Sequence, residues 1–229
     1  MKGNATMKIK KYSAYKDSGI EWIGDIPEHW EVRKLKYVYT GFSNGTSAYQ
    51  VPQGKTLYPV SRIETISLGE INYKKVGFIR KRDALLKYKL EKGDILISNI
   101  NSFERVGNTA LYRGEKELYH GMNLLRISPR RGINSDYYYY SLKTDIFLHP
   151  IKLNCKPAIN QVSVPSSKVK NVFSPLPPLS EQKKIAAYLE EVDKETNRLI
   201  ELNHRAIEKL KEYKQVLIDQ AVRGEICLV

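Results

Sequence analysis

Cysteine is scarce in this 229-residue chain: Cys155 and Cys227 stand far apart and without CxxC spacing. Neither a disulfide scaffold nor a zinc module has support from such a count. No apolar run approaches the roughly 18 residues that a membrane span needs. Met1 to Tyr12 carries basic residues with no apolar stretch behind them, which is not the pattern of a secretory signal. A cytoplasmic globular protein with no membrane contact is therefore expected. The four histidines, His29, His120, His149 and His204, show no ligand spacing. There is no GxxxxGK[ST] loop and no GxGxxG after a strand, so nucleotide cofactors lack support. Gly41, Gly45 and Gly107 read as turns. Asp94 and Glu104 lie near strands without a suitably placed lysine, and Gly93-Asp94 reads as a turn into the apolar run Ile95-Leu96-Ile97. Nothing here requires an enzyme, a metal or a cofactor in this chain.

Basic charge is what the chain has in excess. Thirty-eight Lys+Arg face 25 Asp+Glu, a net charge of +13. Residues 1–175 hold 29 Lys+Arg and 15 Asp+Glu, a net of +14, whereas residues 176–229 hold 9 and 10, a net of −1. A basic module that meets phosphates and a nearly neutral module that meets protein are the expected consequence. The 41% hydrophobic content is enough for a folded core and excludes a disordered basic tail.

The neutral segment has a clear period. After Pro175, Pro177 and Pro178, Ser180 is a candidate N-cap with Glu181 in the first turn, where a carboxylate meets the positive helix end. Arg223 and Gly224 form the matching stop. Between them runs an unbroken 4-3 spacing: Ile185, Leu189, Val192, Thr196, Leu199, Asn203, Ala206, Leu210, Tyr213, Leu217 and Gln220. The spacing predicts one helix of a coiled coil, about 60 Å long. Asn203 sits near the middle of this seam, and an antiparallel pairing of two identical helices brings the two Asn203 positions together. A buried Asn can fix register in that way; a partly wet position is the simpler reading.

The first 175 residues read as mixed α/β. Strands are expected at Leu57–Ile63, Ile71–Ile79, Asp94–Ile100, Thr109–Tyr112, Leu124–Ser128 and Val169–Phe173. A helix is expected from Ser135, as cap, to about Leu148, and a shorter one over Asp83–Leu90. The fold class is thus α+β, a mixed α/β domain followed by one long C-terminal coiled-coil helix. No internal repeat is visible.

Sixteen of the 23 aromatic residues are tyrosines, interleaved with cations as in Tyr73-Lys74-Lys75 and Lys87-Tyr88-Lys89. Tyrosine offers a stacking face and a hydroxyl, and lysine the charge, for a phosphate-bearing partner. Tyr137–Tyr140 read instead as helix packing. Lys74 and Lys75 are the candidate phosphate contacts. Asn99, Asn101, Arg105, Asn108, Asn160 and Gln161 are the candidates for base edges, since Asn and Gln suit adenine and Arg suits guanine. Solvent-facing turn residues would look the same.

Four stretches resemble a known family. Tyr15-Lys16-Asp17-Ser18-Gly19-Ile20-Glu21-Trp22-Ile23-Gly24-Asp25-Ile26-Pro27-Glu28-His29-Trp30-Glu31-Val32 resembles the N-terminal opening of type I restriction–modification specificity subunits. Pro175-Leu176-Pro177-Pro178-Leu179-Ser180-Glu181-Gln182-Lys183-Lys184-Ile185-Ala186 resembles the start of their spacer helix, and Ala221-Val222-Arg223-Gly224-Glu225-Ile226 its end. Gly93-Asp94-Ile95-Leu96-Ile97-Ser98 resembles a strand of their target-recognition domain. The resemblance implies a flexible N-terminus over 1–14, a DNA target-recognition domain over 15–178, a spacer and dimerisation helix over 179–224 and a tail over 225–229. It also implies partners: double-stranded DNA, methyltransferase subunits and, through them, motor–nuclease subunits. S-adenosylmethionine, ATP and Mg²⁺ would reside on those partners. A usual specificity subunit carries two recognition domains and two spacer helices; here there is one of each. A homodimer through the helix, reading two copies of one half-site, is the expectation. The alternative is an assembly module or decoy that binds methyltransferase subunits without reading DNA, and a stand-alone nuclease is the third reading.

Overall fold

The computed structural model describes residues 10–158 and 161–227. Two short strands, β1 (Tyr15–Asp17) and β2 (Asp25–Pro27), pair first. They are followed by β3 (Glu31–Lys34), a single helical turn α1 (Leu35–Val38) and β4 (Tyr39–Asn44). Next come β5 (Gln50–Val51), β6 (Leu57–Val60) and β7 (Gly77–Arg80), a three-stranded sheet ordered β5-β7-β6. The middle of the chain supplies β8 (Ile95–Ile97), β9 (Ile100–Asn101), β10 (Thr109–Leu111) and β11 (Leu125–Pro129). Helices α2 (Ser135–Ser141) and α3 (Asp145–Leu153) lead to β12 (Lys156–Ala158) and β13 (Gln161–Ser163). The order closes with α4 (Ser166–Lys170), β14 (Phe173–Leu176) and α5 (Leu179–Val222). A four-stranded antiparallel sheet, β10-β8-β11-β4, forms the centre.

Strand β8 shows why its sequence is a continuous apolar run. Ile95 and Ile97 point into the largest core cluster, with Leu35, Tyr39, Leu125, Ile127 and Phe147. Leu96 points the other way, into a second cluster with Ile66, Leu118 and Leu124. A strand covered on both faces has no polar side to alternate with. Each such side chain contributes roughly 1.5–3 kcal/mol of burial. Tyr137, Tyr138 and Tyr139 are all buried, and the Tyr138 ring meets Tyr39 edge-on at 5.4 Å. These tyrosines are core, packing from the helix as expected.

Several expected elements differ in the structure. The strand expected over Leu57–Ile63 stops at Val60, and Ile63–Ile66 forms a 3-10 turn closed by Thr65, whose Oγ1 accepts from the Arg62 N–H at 2.8 Å. The strand expected over Ile71–Ile79 is interrupted by a 3-10 turn at Tyr73–Lys75, because the Asn72 side chain accepts from the Lys74 N–H. Asp83–Tyr88 is 3-10 rather than α-helical. The helix expected from Ser135 to Leu148 is two helices, since Thr144 is extended and restarts the second; the cap of the first is Asn134, not Ser135. Residues expected as the strand Val169–Phe173 end α4, which follows Pro165, and β14 starts only at Phe173.

The chain divides after Ala186 into two compact units. α5 contributes its first eight residues to the first unit and 187–222 to the second. It starts at Leu179, with the Pro178 carbonyl accepting from the Glu181 and Gln182 N–H groups, so Ser180 lies inside it rather than capping it. It ends in a Schellman motif: Gly224, at φ +72°, lets the Glu225 N–H reach the Gln220 carbonyl at 2.8 Å and its own N–H reach Ala221. In the second unit Val192, Leu199, Leu210, Tyr213 and Leu217 are exposed, and so are Ile200, Leu202, Ile207 and Val216 beside them. Among the described residues no helix long and apolar enough to cross a membrane occurs.

Candidate nucleic-acid interface

The expected base-edge residues do not share one environment. Asn99 is buried, its Oδ1 accepting from the Asn44 amide at 3.2 Å and its Nδ2 donating to the Val164 carbonyl at 3.4 Å. Asn101 donates to Ser98 Oγ at 2.9 Å and accepts from the Ser102 N–H at 2.9 Å. Both amides are occupied, Asn99 by distant segments and Asn101 by its own loop. Arg105 and Gln161 are exposed and Asn108 is half-buried. Pairing of β13 with β9 sets Val162 opposite Asn101 and brings Gln161 to the same sheet. Asn160 lies outside the described residues. Lys74 and Lys75 are exposed but sit on the Tyr73–Lys75 turn, a separate segment whose Tyr73 packs against the second core cluster.

Another polar surface escapes sequence reasoning. Residues Tyr119–Gly121 are threaded between two segments: the Thr46 N–H donates to the His120 carbonyl at 2.8 Å, and the Ser61 N–H to the Tyr119 carbonyl at 2.8 Å. The approach is so close that a Cβ on Gly45 would stand 2.0 Å from the His120 carbonyl oxygen, and one on Gly121 2.0 Å from that of Ser61. Only glycine fits at either place. His120 is buried here; its Nε2 meets the Leu124 carbonyl at 2.8 Å, and its Nδ1 has no partner among the described residues. Burial pushes its pKa down to about 4, so at neutral pH the ring is uncharged.

This crossing opens two clefts that share Ala48. One, of about 210 Å³, is lined by polar side chains that include Ser47, Gln50, Arg62, Glu64 and Asn123. The other, of about 330 Å³, is lined by Tyr49, Val51, Arg80, Arg82 and Leu85. Nearby, Lys81 Nζ lies 5.1 Å from the Tyr58 ring centre, which in turn stacks on Tyr119 at 4.1 Å. No local period or motif marks these residues, because they come from four separate stretches of chain.

The two most specific sequence motifs meet in space. Glu181, in the first turn of α5, accepts from Trp30 Nε1 at 3.0 Å and from the Tyr12 hydroxyl at 3.0 Å, and its other oxygen lies 2.7 Å from His29 Nε2. Burial alone would raise the Glu181 carboxyl, but these three partners together outweigh it and hold the group below the usual carboxylate range. Beside it Gln182 is buried; it accepts from the Asn134 N–H at 2.9 Å and donates to the Pro177 carbonyl at 2.8 Å. Strand β14 pairs with β3 along its full length. The N-terminal opening and the helix start are therefore one joint.

Fold and site together define a class: a mixed α/β binding domain whose chain runs on into a long helix. Among the described residues no group of three or more His, Cys, Asp or Glu is placed to hold a metal. The family model of the type I restriction modification DNA specificity domain matches residues 27–211. The chain belongs to that family. A chain assigned as the MjaX type I restriction enzyme specificity subunit of Methanocaldococcus jannaschii is 42% identical over 197 residues, covering 84% of this chain and 45% of that one. The EcoKI specificity subunit of Escherichia coli K12 is 23% identical over 213 residues, covering 90% of this chain and 46% of that one. This chain thus spans about half the length of the curated relatives it matches. Solved structures agree on the fold. A chain from a study of complex assembly and conformational transition in a type I R-M system gives a TM-score of 0.66 at 23% identity, covering 89% of this chain and 48% of that one. The HsdS subunit of Thermoanaerobacter tengcongensis gives 0.57 at 22% identity, covering 93% and 48%.

Proposed function

We propose that the basic domain recognises one half of a bipartite duplex DNA site for a type I restriction–modification complex. In this reading α5 joins two copies of the chain as antiparallel partners and docks methyltransferase subunits. The observation that carries it is the helix itself: from Val192 to Leu217 its seam residues are exposed, on a segment whose 4-3 period is built for another helix. The net +14 of residues 1–175 supports a phosphate-bearing partner for the domain, which an assembly decoy would not need.

Sedimentation of the purified chain tests the pairing: a dimer at micromolar concentration is expected, and a stable monomer without methyltransferase present would overturn it. Titration with duplex DNA at rising salt tests the domain. If Arg105 or Gln161 reads a base, Arg105→Ala or Gln161→Ala relaxes base preference by about 1–3 kcal/mol. Lys74→Ala or Lys75→Ala weakens all sequences alike. Methylation mapping in cells whose only specificity protein is this chain is expected to return a palindromic motif.

A further inference from the structure

Two of the side-chain amides that the sequence marks as base readers are already spent: Asn99 on Asn44 and Val164, and Asn101 on its own loop. A base edge needs the reverse: an exposed amide with donor and acceptor both free, or an exposed guanidinium with free N–H donors. The polar cleft supplies it. Gln50 and Asn123 are exposed, both line the cleft, and neither side chain hydrogen-bonds to another described residue. Arg62 stands with them, 3.5 Å from Glu64. Its charge is thus shared with a carboxylate that can itself accept from a cytosine amino group.

The adjoining cleft has complementary chemistry. Arg80 and Arg82 line it, both exposed, and neither is within ion-pair distance of a carboxylate among the described residues. Tyr49 is 87% exposed beside them, and Lys81 lies over the Tyr58 ring. Cations with no ion pair to a described acidic side chain, beside an exposed tyrosine, form a site for phosphodiester oxygens. The two clefts are separated only by the segment around Ala48. The Asn44 amide also ties this region to the expected reading loop, donating to Asn99 at 3.2 Å and to the Met122 carbonyl at 2.7 Å, next to Asn123.

We infer that Gln50, Arg62 and Asn123 read base edges of duplex DNA while Arg80 and Arg82 grip its adjacent phosphates. This rests on the DNA-recognition reading above and assigns it a surface. The arrangement separates two roles: Gln50 and Asn123 carry no charge and set sequence preference, and the two arginines carry sequence-independent affinity. The Gly45–His120–Gly121 crossing ties together the Thr46 and Ser61 segments that line the polar cleft.

The test uses the full chain and a pool of double-stranded DNA with a randomised centre. The wild-type chain is expected to enrich one motif with salt-dependent binding. Gln50→Ala with Asn123→Ala should relax one or two positions of that motif, with discrimination there falling at least about fivefold and the salt dependence unchanged. Arg80→Ala with Arg82→Ala should keep the motif and lower the slope of log affinity against log salt by about 2. Thermal melting of each variant, expected to match the wild type because the side chains are exposed, excludes misfolding. A motif unchanged by the first pair but relaxed by Arg105→Ala or Gln161→Ala would overturn this assignment and leave DNA reading intact. A wild-type chain that enriches nothing and binds without salt dependence would overturn both.

Discussion

Residues 179–186 and 187–222 lie on one continuous helix, yet their side chains meet opposite surroundings. In the first stretch Glu181 has three hydrogen-bonding partners, Gln182 is fully engaged, and Ala186 is buried in the main core cluster. In the second, Leu199, Ile207 and Leu210 are exposed, and ion pairs such as Glu195–Arg198 and Glu201–Arg205 run along the helix itself. Such exposed pairs contribute only about 0.3–0.5 kcal/mol each. The helix period is the same in both stretches; what differs is whether a partner surface comes from the same chain. The first stretch is stabilised by its own domain; the second leaves its apolar side chains exposed, the face that the proposed pairing would cover.

The largest test of this contrast removes the seam. Val192→Asp with Leu199→Asp is expected to weaken self-association by about 2–4 kcal/mol per buried position, and so to give a monomer in sedimentation at micromolar concentration. Thermal unfolding of the domain should not change. Breakage from the other side comes from Gly121→Ala, whose added Cβ would meet the Ser61 carbonyl oxygen. It should destabilise the domain by roughly 1–3 kcal/mol in a denaturant titration and leave sedimentation unaltered.

Acid should act on the domain before the helix seam. His120 has a folded pKa of about 4 against an ordinary value of 6.5, so the unfolded chain binds its proton first. Its contribution is complete above pH 6.5 and is lost as pH falls toward 4, by roughly 3 kcal/mol in all. His120→Asn should flatten the pH profile of domain melting within that window. Glu181 gives the smallest and most local effect. Its lowered carboxyl stabilises the joint at neutral pH, and that contribution fades as pH falls below the usual carboxylate range. Glu181→Gln should cost about 1–2 kcal/mol at pH 7 and little under acid, with the dimer retained.

The candidate site was less legible in the sequence than the helix. The turn at Gly93-Asp94 and the buried run that follows were readable, since both are local patterns, and Asp94 does close the turn by accepting from the Glu91 N–H at 2.9 Å. The run Val169–Phe173 was misread because Pro165 and the residues after it form a helical turn, which β-branched composition alone does not reveal. Asn99 carries the right chemistry for a base edge, but its partners are Asn44 and Val164, distant in sequence. Gln50 and Asn123 go unmarked for the converse reason: what distinguishes them is the lack of a hydrogen-bonding partner among the described residues.

By itself the sequence determined the long helix: its proline-flanked start, its glycine stop, its seam and the charge division on either side of it. Those features depend on neighbours within a turn or two, and a 3.6-residue period is written in adjacent residues. Tertiary structure alone decided which polar groups remain free. A side-chain amide is either consumed or available according to partners that only the folded chain brings within 3 Å or so, as Asn44 does for Asn99 and Met122. Helix and charge could be read from the chain; the surface proposed to meet DNA had to be folded first.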